Sequence, residues 1–119
     1  MMNYKRADRV AALIKEEVSQ IVLQEVKDPD IGFLTITKVK LSSDLKHAKI
    51  FYSVLGEEEN QNLAKNALDR SLKYIRSQVG HRINLRLVPT LEFFYDDSAE
   101  YADHIEQLLQ KIKQEKSSL

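Results

Sequence analysis

The 119-residue sequence contains no cysteine and no tryptophan, and it has only three glycines and two prolines. The lack of cysteine excludes disulfides, a thiol nucleophile and a cysteine-based metal site, and it is compatible with a reducing compartment. Gly32, Gly56 and Gly80 lie too far apart to form a glycine-rich loop that cradles phosphates. Composition therefore argues against several common kinds of enzyme site.

Long hydrophobic runs are also missing. No apolar run approaches the length of a transmembrane helix, and the first residues lack the apolar core of a signal peptide. We therefore expect a cytoplasmic protein with no membrane contact. With 43% hydrophobic and 30% charged residues, the chain is typical of a folded globule. Its length predicts a single domain over residues 1–119, of which 114–119 are expected to fray.

Charge is balanced in total but unevenly distributed, because the formal net charge is zero. Residues 60–91 hold six Lys or Arg and a single acid, whereas residues 92–106 hold six acids and no Lys or Arg. A merely solvated polar face would be expected to intersperse acids with the cations. Phosphate binding, in contrast, favours a surface of one sign. The stretch "SLKYIRSQVGHRINLRLVP" (71–89) is open to both interpretations.

Hydrophobic periodicity predicts alternating helices and strands. Helical spacing predicts a helix over 4–26 and a second helical region before Pro89, which is either one helix through Gly80 or two helices broken nearby. A last helix follows "DSAE" (97–100), where Asp97 would be its cap. Alternation predicts a hairpin of 33–41 and 48–55, with a bulge near Lys38, and a third strand at 90–97. A strand–helix–strand crossover favours parallel strands. We therefore expect an α+β domain with helices packed on one face of a three-stranded sheet.

Catalytic residues find little support. His47, His81 and His104 are far apart and share no metal-ligand spacing. Asp96 and Asp97 are adjacent at a strand end and would point to opposite faces, so a helix cap is the better interpretation. We expect no catalytic residue, no metal and no cofactor.

Aromatic residues on the strands could stack on bases, although core packing explains most of them. Phe51 and Phe94 lie on the face opposite each strand's main apolar row, which leaves them least committed to the core. The last helix is a candidate to cover them.

Taken in order, these segments resemble the bacterial ribosome-binding factor A family over nearly the whole chain. The most specific are "DPDIGFLTIT" with "SDLKHAKI", and "IRSQVG" followed by "LRLVPTLEFFYDDS". The full matching stretches are "RADRVAALIKEEVSQIV" (6–22), "VKDPDIGFLTITKVKLSSDLKHAKIFYSVLG" (26–56), "IRSQVGHRINLRLVPTLEFFYDDS" (75–98) and "HIEQLL" (104–109).

The resemblance implies a type II KH-like fold of order α-β-β-α-α-β with a C-terminal helix. KH domains usually approach RNA with a Gly-x-x-Gly loop. The family has instead an Ala-x-Gly kink between two helices, and the matching positions here are Ser71, Leu72 and Lys73. Neither the alanine nor the glycine is present, which puts the sharpness of the kink in question.

The resemblance also implies a non-catalytic assembly factor that binds the immature small ribosomal subunit and its precursor rRNA. It would assist late maturation and processing of that RNA, notably at low temperature. We expect a monomer, with other assembly factors as candidate further partners. The basic segment would grip RNA phosphates, with help from the first helix. The predicted RNA-binding residues are Lys5, Arg6, Arg9, Arg70, Lys73, Arg76, Arg82 and Arg86.

Two alternatives remain open on the sequence. One is a KH-like module for single-stranded RNA that is not tied to the ribosome. The other is a protein–protein docking module whose acidic segment, residues 96–106, contacts a basic partner. Strong salt dependence of binding would favour phosphate contacts over the second alternative.

Overall fold

The computed structural model describes residues 2–117, with side chains described for residues 6–98 and 103–115. The expected α+β class is confirmed. Two long helices pack against a three-stranded sheet, and a third helix follows the sheet. The elements are α1 (Met2–Gln24), a short 3-10 helix (Pro29–Ile31), β1 (Leu34–Leu41), β2 (His47–Val54), α2 (Glu58–Arg82), β3 (Thr90–Tyr95) and α3 (Ser98–Ser117).

The sheet has the strand order β1-β2-β3. β1 and β2 form the expected antiparallel hairpin, and β2 and β3 are parallel, as the crossover through α2 predicted. The register of β1 shifts between Ile36 and Lys38, which confirms the bulge. The extra residue, Thr37, resets the alternation, so that both Ile36 and Val39 contribute to the side that faces the helices.

The core lies between the inner face of the sheet and the apolar sides of α1 and α2. Ile14, Val18 and Ile21 of α1 are fully buried, as are Leu68 and Ile75 of α2. Each such side chain contributes roughly 1.5–3 kcal/mol through removal of apolar surface from water. The helical spacing predicted for these segments therefore corresponds to burial against one sheet face.

The resemblance implies two helices joined by a kink at Ser71, Leu72 and Lys73, but α2 is a single α-helix through these positions. Serine, leucine and lysine are all tolerated in a helix interior, whereas glycine costs about 1 kcal/mol relative to alanine. Without the glycine, the backbone has no local reason to break. The helix begins with Glu58 and Glu59 and ends with His81 and Arg82, an arrangement that suits the helix dipole.

Gly80 lies inside α2 and marks a close contact. A Cβ atom built at this position would lie only 2.7 Å from Cγ2 of Val88. The glycine therefore lets the segment before β3 approach the helix closely. This resolves the two interpretations of Gly80, because α2 continues past it to Arg82.

Helix α3 stands apart from the packed layers. All of its described side chains, residues 103–115, are exposed, including the apolar Ile105, Leu108, Leu109 and Ile112. The packing on one sheet face is thus made by α1 and α2, and the α3 side chains at 103–115 do not provide the expected cover for Phe51 and Phe94. Of the segment expected to fray, residues 114–117 are helical, and 118 and 119 lie outside the described residues.

Asp96 holds the turn before α3, whereas the cap predicted at Asp97 would involve residues 99 and 100, which lie outside those whose side chains are described. Its carboxylate accepts hydrogen bonds from the backbone N–H of Ser98 at 2.9 Å and from the hydroxyl of Thr37 at 2.6 Å. Hydrogen bonds from Ser98 and Thr37 lower the pKa of Asp96 to about 2. The bulge in β1 and the end of β3 are thereby joined at the point from which α3 departs.

Candidate nucleic-acid interface

Three of the predicted RNA-binding cations have partners within the fold, and Arg70 is the first. Its guanidinium binds Asp28 at 2.8 Å and Asp30 at 3.0 Å. Both acids belong to the turn that the sequence "DPDIG" forms around Pro29. The hydrogen bond from Arg70 lowers the pKa of Asp28, and a further bond from the backbone of Asp30 acts in the same direction. Arg70 thus fastens this turn to the outer side of α2.

Arg82 joins the C-terminal end of α2 to α1. Its guanidinium contacts Glu17 at 3.3 Å and Glu25 at 2.5 Å. Less than a third of each of the three side chains is exposed. Because the three groups are partly shielded from water, loss of the arginine would leave two partly buried carboxylates without compensation. Glu17 belongs to α1 and Glu25 directly follows it, so the acids that balance this cation lie 65 and 57 residues away in sequence.

Arg76 anchors the segment between α2 and β3. It donates to the carbonyl oxygen of Pro89 at 3.1 Å and to that of Val88 at 2.8 Å. These bonds satisfy two backbone acceptors in a stretch that has no strand partner. The arginine therefore positions the loop that Gly80 allows to approach the helix.

The remaining predicted cations are available to a ligand. Arg6, Arg9, Lys73 and Arg86 are exposed, and none of them has an ion-pair partner among the side chains that the structure describes. Lys5 lies outside the residues whose side chains are described. The eight predicted residues therefore divide into three that fasten the fold, four that are unpaired, and Lys5.

Two of the unpaired cations meet at one place. Arg6 from α1, Lys46 from the hairpin turn and Arg86 from the segment before β3 line a notch of about 130 Å³. We call these three residues the basic notch. One acid, Asp44, also lines it, but its carboxylate bonds Ser42 and the backbone of Lys46, which lower its pKa. The sequence predicted Arg6 and Arg86 but missed Lys46, because only the tertiary fold brings the turn to them.

A second depression lies along α2. Lys73, Arg76, Ser77, Gly80 and His81 line it together with Val88, in a volume of about 640 Å³. We call it the α2 groove. His81 Nδ1 lies 2.8 Å from the carbonyl oxygen of Ser77, so this histidine is held by its own helix. The basic notch and the α2 groove are both bordered by the segment 85–88. Each of the two depressions carries basic side chains, and the segment 85–88 contributes to both.

The described part of the chain shows neither a metal cluster nor a membrane-spanning helix. Within residues 6–98 and 103–115, no three acids or histidines are grouped so that they could hold a metal ion. Among the described helices, none combines the length and the apolar character needed to cross a bilayer.

Comparison with known proteins identifies the family of this chain. The sequence profile of ribosome-binding factor A matches residues 6–109. The chain belongs to the ribosome-binding factor A family. Its relatives include ribosome-binding factor A of Halothermothrix orenii, 44% identical over 98% of this chain and 96% of that protein. The Geobacter metallireducens member is 46% identical over 94% of this chain and 95% of its own length.

Solved structures of family members share the fold. The crystal structure of ribosome-binding factor A from Thermus thermophilus superposes with a TM-score of 0.65 and 27% identity, over 75% of this chain and 94% of that one. A Thermus thermophilus homology model of the factor has been fitted into a cryo-EM map of its complex with the 30S subunit. It superposes with a TM-score of 0.62 and 28% identity, over 73% of this chain and 91% of that one. The resemblance read from the sequence is thus confirmed at the level of family and fold.

Proposed function

We propose that this protein is a non-catalytic assembly factor that binds the immature small ribosomal subunit and its precursor rRNA. It assists late maturation and processing of that RNA, notably at low temperature. It acts in the cytoplasm as a single-domain monomer, without a cofactor, and other assembly factors are candidate further partners. The observation that carries the proposal is that a relative with the same fold has been fitted into a map of a 30S complex.

The basic notch supplies a physical basis for the proposal. Three cations from separate segments converge there, and converging cations displace counterions from a nucleic-acid backbone. Arg6 and Arg86 can each form paired hydrogen bonds to a phosphate, whereas Lys46 adds a point charge. Lys73 extends the same surface along the α2 groove. We assign phosphate binding to these residues, and also to Lys5 and Arg9 of α1.

Arg70, Arg76 and Arg82 receive a different part in this proposal. They hold the turn, the loop and the helix pair that bring the free cations together. Reversing Arg76 or Arg82 to glutamate would disturb the fold as well as any RNA contact. A test of binding must therefore rely on the unpaired cations.

The test is co-sedimentation with small subunits separated on a sucrose gradient. We expect the wild-type protein to associate with immature subunits and to associate less with mature ones. The triple variant Arg6→Gln, Lys46→Gln, Arg86→Gln should lose most of this association while keeping the same thermal unfolding midpoint. A matched control is the double variant Lys111→Gln, Lys113→Gln, which removes exposed lysines of α3 and should bind normally.

Two results would contradict the proposal. Absence of wild-type protein from the immature fractions would overturn the function itself. Undiminished association of the triple variant would overturn the assignment of the basic notch. In cells, loss of the protein should delay the appearance of mature small-subunit rRNA, and more so in the cold.

A further inference from the structure

The outer face of the sheet, turned away from α1 and α2, carries two neighbouring aromatic rings. Phe51 of β2 and Phe94 of β3 are partners in the parallel register. Their ring centroids are 5.7 Å apart and their planes differ by 30°. Both rings are only partly buried, whereas the residues beside them in sequence, Ile50 and Phe93, face the core. Two phenyl rings thus form a shallow platform on an otherwise polar surface.

Three lysines surround this platform. The ammonium of Lys38 lies 4.7 Å from the ring centroid of Phe51, and that of Lys40 lies 5.9 Å from it. Lys49 reaches the other ring, 5.8 Å from the centroid of Phe94. In register, Lys40 is the partner of Lys49, and Glu92 is the next residue across. The rings therefore lie in a mainly cationic setting.

We propose that this aromatic platform, made of Phe51 and Phe94 with Lys38, Lys40 and Lys49, stacks unpaired bases of single-stranded RNA. Stacking of a base on an aromatic side chain is worth about 1–3 kcal/mol, whereas an exposed cation–π contact is worth about 0.5–1 kcal/mol. A base can therefore displace a lysine from the ring. The displaced ammonium becomes free to bind the phosphate next to that base.

A protein partner fits the platform less well than RNA does. Protein interfaces are depleted in lysine at their centres, because a buried ammonium must lose its hydration without compensation. Here each ring has at least one lysine directly over it. Aromatic rings interleaved with cations are what single-stranded nucleic acid requires, since every base offers a π-face and every nucleotide a phosphate. Duplex RNA is excluded as the ligand, because its bases are already stacked.

The platform also lies a few residues along the chain from Lys46 of the basic notch. Lys46 of the notch immediately precedes β2, and Phe51 lies five residues further along the extended chain, about 17 Å away at a strand rise of roughly 3.4 Å per residue. An RNA strand held by its phosphates at the notch could follow β2 to the rings, past Lys49. The inference rests on the proposed function only for the class of partner, RNA.

The decisive experiment compares two oligomers of equal length, a short end-labelled oligoadenylate and its abasic counterpart, by fluorescence anisotropy. We expect wild-type protein to bind the oligoadenylate more tightly. The double variant Phe51→Leu, Phe94→Leu keeps apolar bulk but removes the π-faces, and it should bind oligoadenylate at least about five-fold more weakly. Its affinity for the abasic oligomer should not change. Equal losses for both oligomers, no loss for either, or no wild-type preference for bases would overturn the proposal.

A matched control and a second measurement exclude a non-specific effect of replacing phenylalanine and misfolding of the variant as explanations. Phe33 is 79% exposed elsewhere on the molecule, and Phe33→Leu should leave both affinities unchanged. If the double leucine variant is misfolded by circular dichroism, the wild-type protein still decides the question through photo-crosslinking of a thiouridine-substituted oligomer. Crosslinks at Phe51 or Phe94 support the platform, and crosslinks confined to other peptides overturn it.

The failure of this inference can be told from the failure of the proposed function. If wild-type protein associates with immature subunits but shows no base-dependent binding through the rings, the proposed function is supported and the base-stacking platform is overturned. Leucine variants that lose subunit binding but bind both oligomers like the wild type would assign the outer face to a protein contact and overturn the RNA inference. Base-dependent oligomer binding without subunit association would support the platform and overturn the ribosomal function.

Discussion

At the scale of single residues, the structure separates cations that have no ion-pair partner among the described side chains from cations that hold the fold. Arg82 and Lys73 are both basic residues on the same helix, but their surroundings differ. Lys73 is exposed, whereas Arg82 lies against one acid of α1, Glu17, and one that directly follows it, Glu25. One oxygen of Glu25 is buried and has no hydrogen-bond partner within the described residues. Loss of Arg82 would therefore leave the other oxygen of this carboxylate without its guanidinium partner as well.

The substitution Arg82→Met tests this difference. It preserves side-chain length but leaves Glu17 and Glu25 without their cation, so the free energy of unfolding should fall by about 1–3 kcal/mol. Lys73→Met, the control on the same helix, should change it by no more than about 0.5 kcal/mol. Urea denaturation measures both. Equal effects of the two substitutions would show that the interhelical pairs contribute no stability.

Sequence reasoning could not have made this separation. The count of charges within residues 60–91 is local, whereas the acids that meet Arg70 and Arg82 come from the turn after α1 and from α1 itself. Helical periodicity places both arginines on the polar side of α2, but it does not tell which neighbour covers that side. For the same reason Lys46 was missed, since only the folded chain shows that this turn lysine lines the same notch as Arg6 and Arg86.

At the scale of elements, prediction succeeded where burial dictates pattern. The helices α1 and α2, the hairpin and the bulge near Lys38 were predicted because one side of each element faces the core. The parallel pairing of β3 followed from the handedness of crossovers. The packing of α3 was not predictable in this way. Its apolar stripe indicates amphipathicity, but a stripe does not specify what, if anything, covers it.

The exposed stripe of α3 leads to a stability prediction. Because Leu108 and Leu109 are exposed, the double variant Leu108→Ser, Leu109→Ser should change the free energy of unfolding by no more than about 0.5 kcal/mol. Ile75→Ala in α2, a fully buried position, should cost about 2–5 kcal/mol. Chemical denaturation followed by near-ultraviolet circular dichroism reports on the core in both cases. A loss above about 1 kcal/mol in the α3 variant would mean that this helix packs against the body in solution.

At the scale of the whole molecule, the zero net charge combines charges that are paired within the fold with charges that are not. The paired arginines neutralise acids of α1 and of the turn around Pro29, so those charges cancel within the fold. Several of the cations that have no ion-pair partner among the described side chains lie at the notch, along α2 and on the outer sheet face. The acids of residues 92–106 lie largely on and before α3. The molecule therefore has basic regions on its surface despite its balanced composition.

The salt dependence of RNA binding measures how many of these cations meet phosphates. Each phosphate contact that is removed should reduce the slope of log K against log salt by roughly 0.7 for single strands and 0.9 for duplex. We therefore expect Arg86→Gln to reduce the slope by about 0.7–0.9, and the triple variant at Arg6, Lys46 and Arg86 by about 2–3. Lys111→Gln on α3 should leave the slope unchanged. A triple variant with the wild-type slope would place the phosphates elsewhere, and a wild-type slope near zero would favour protein docking over RNA binding.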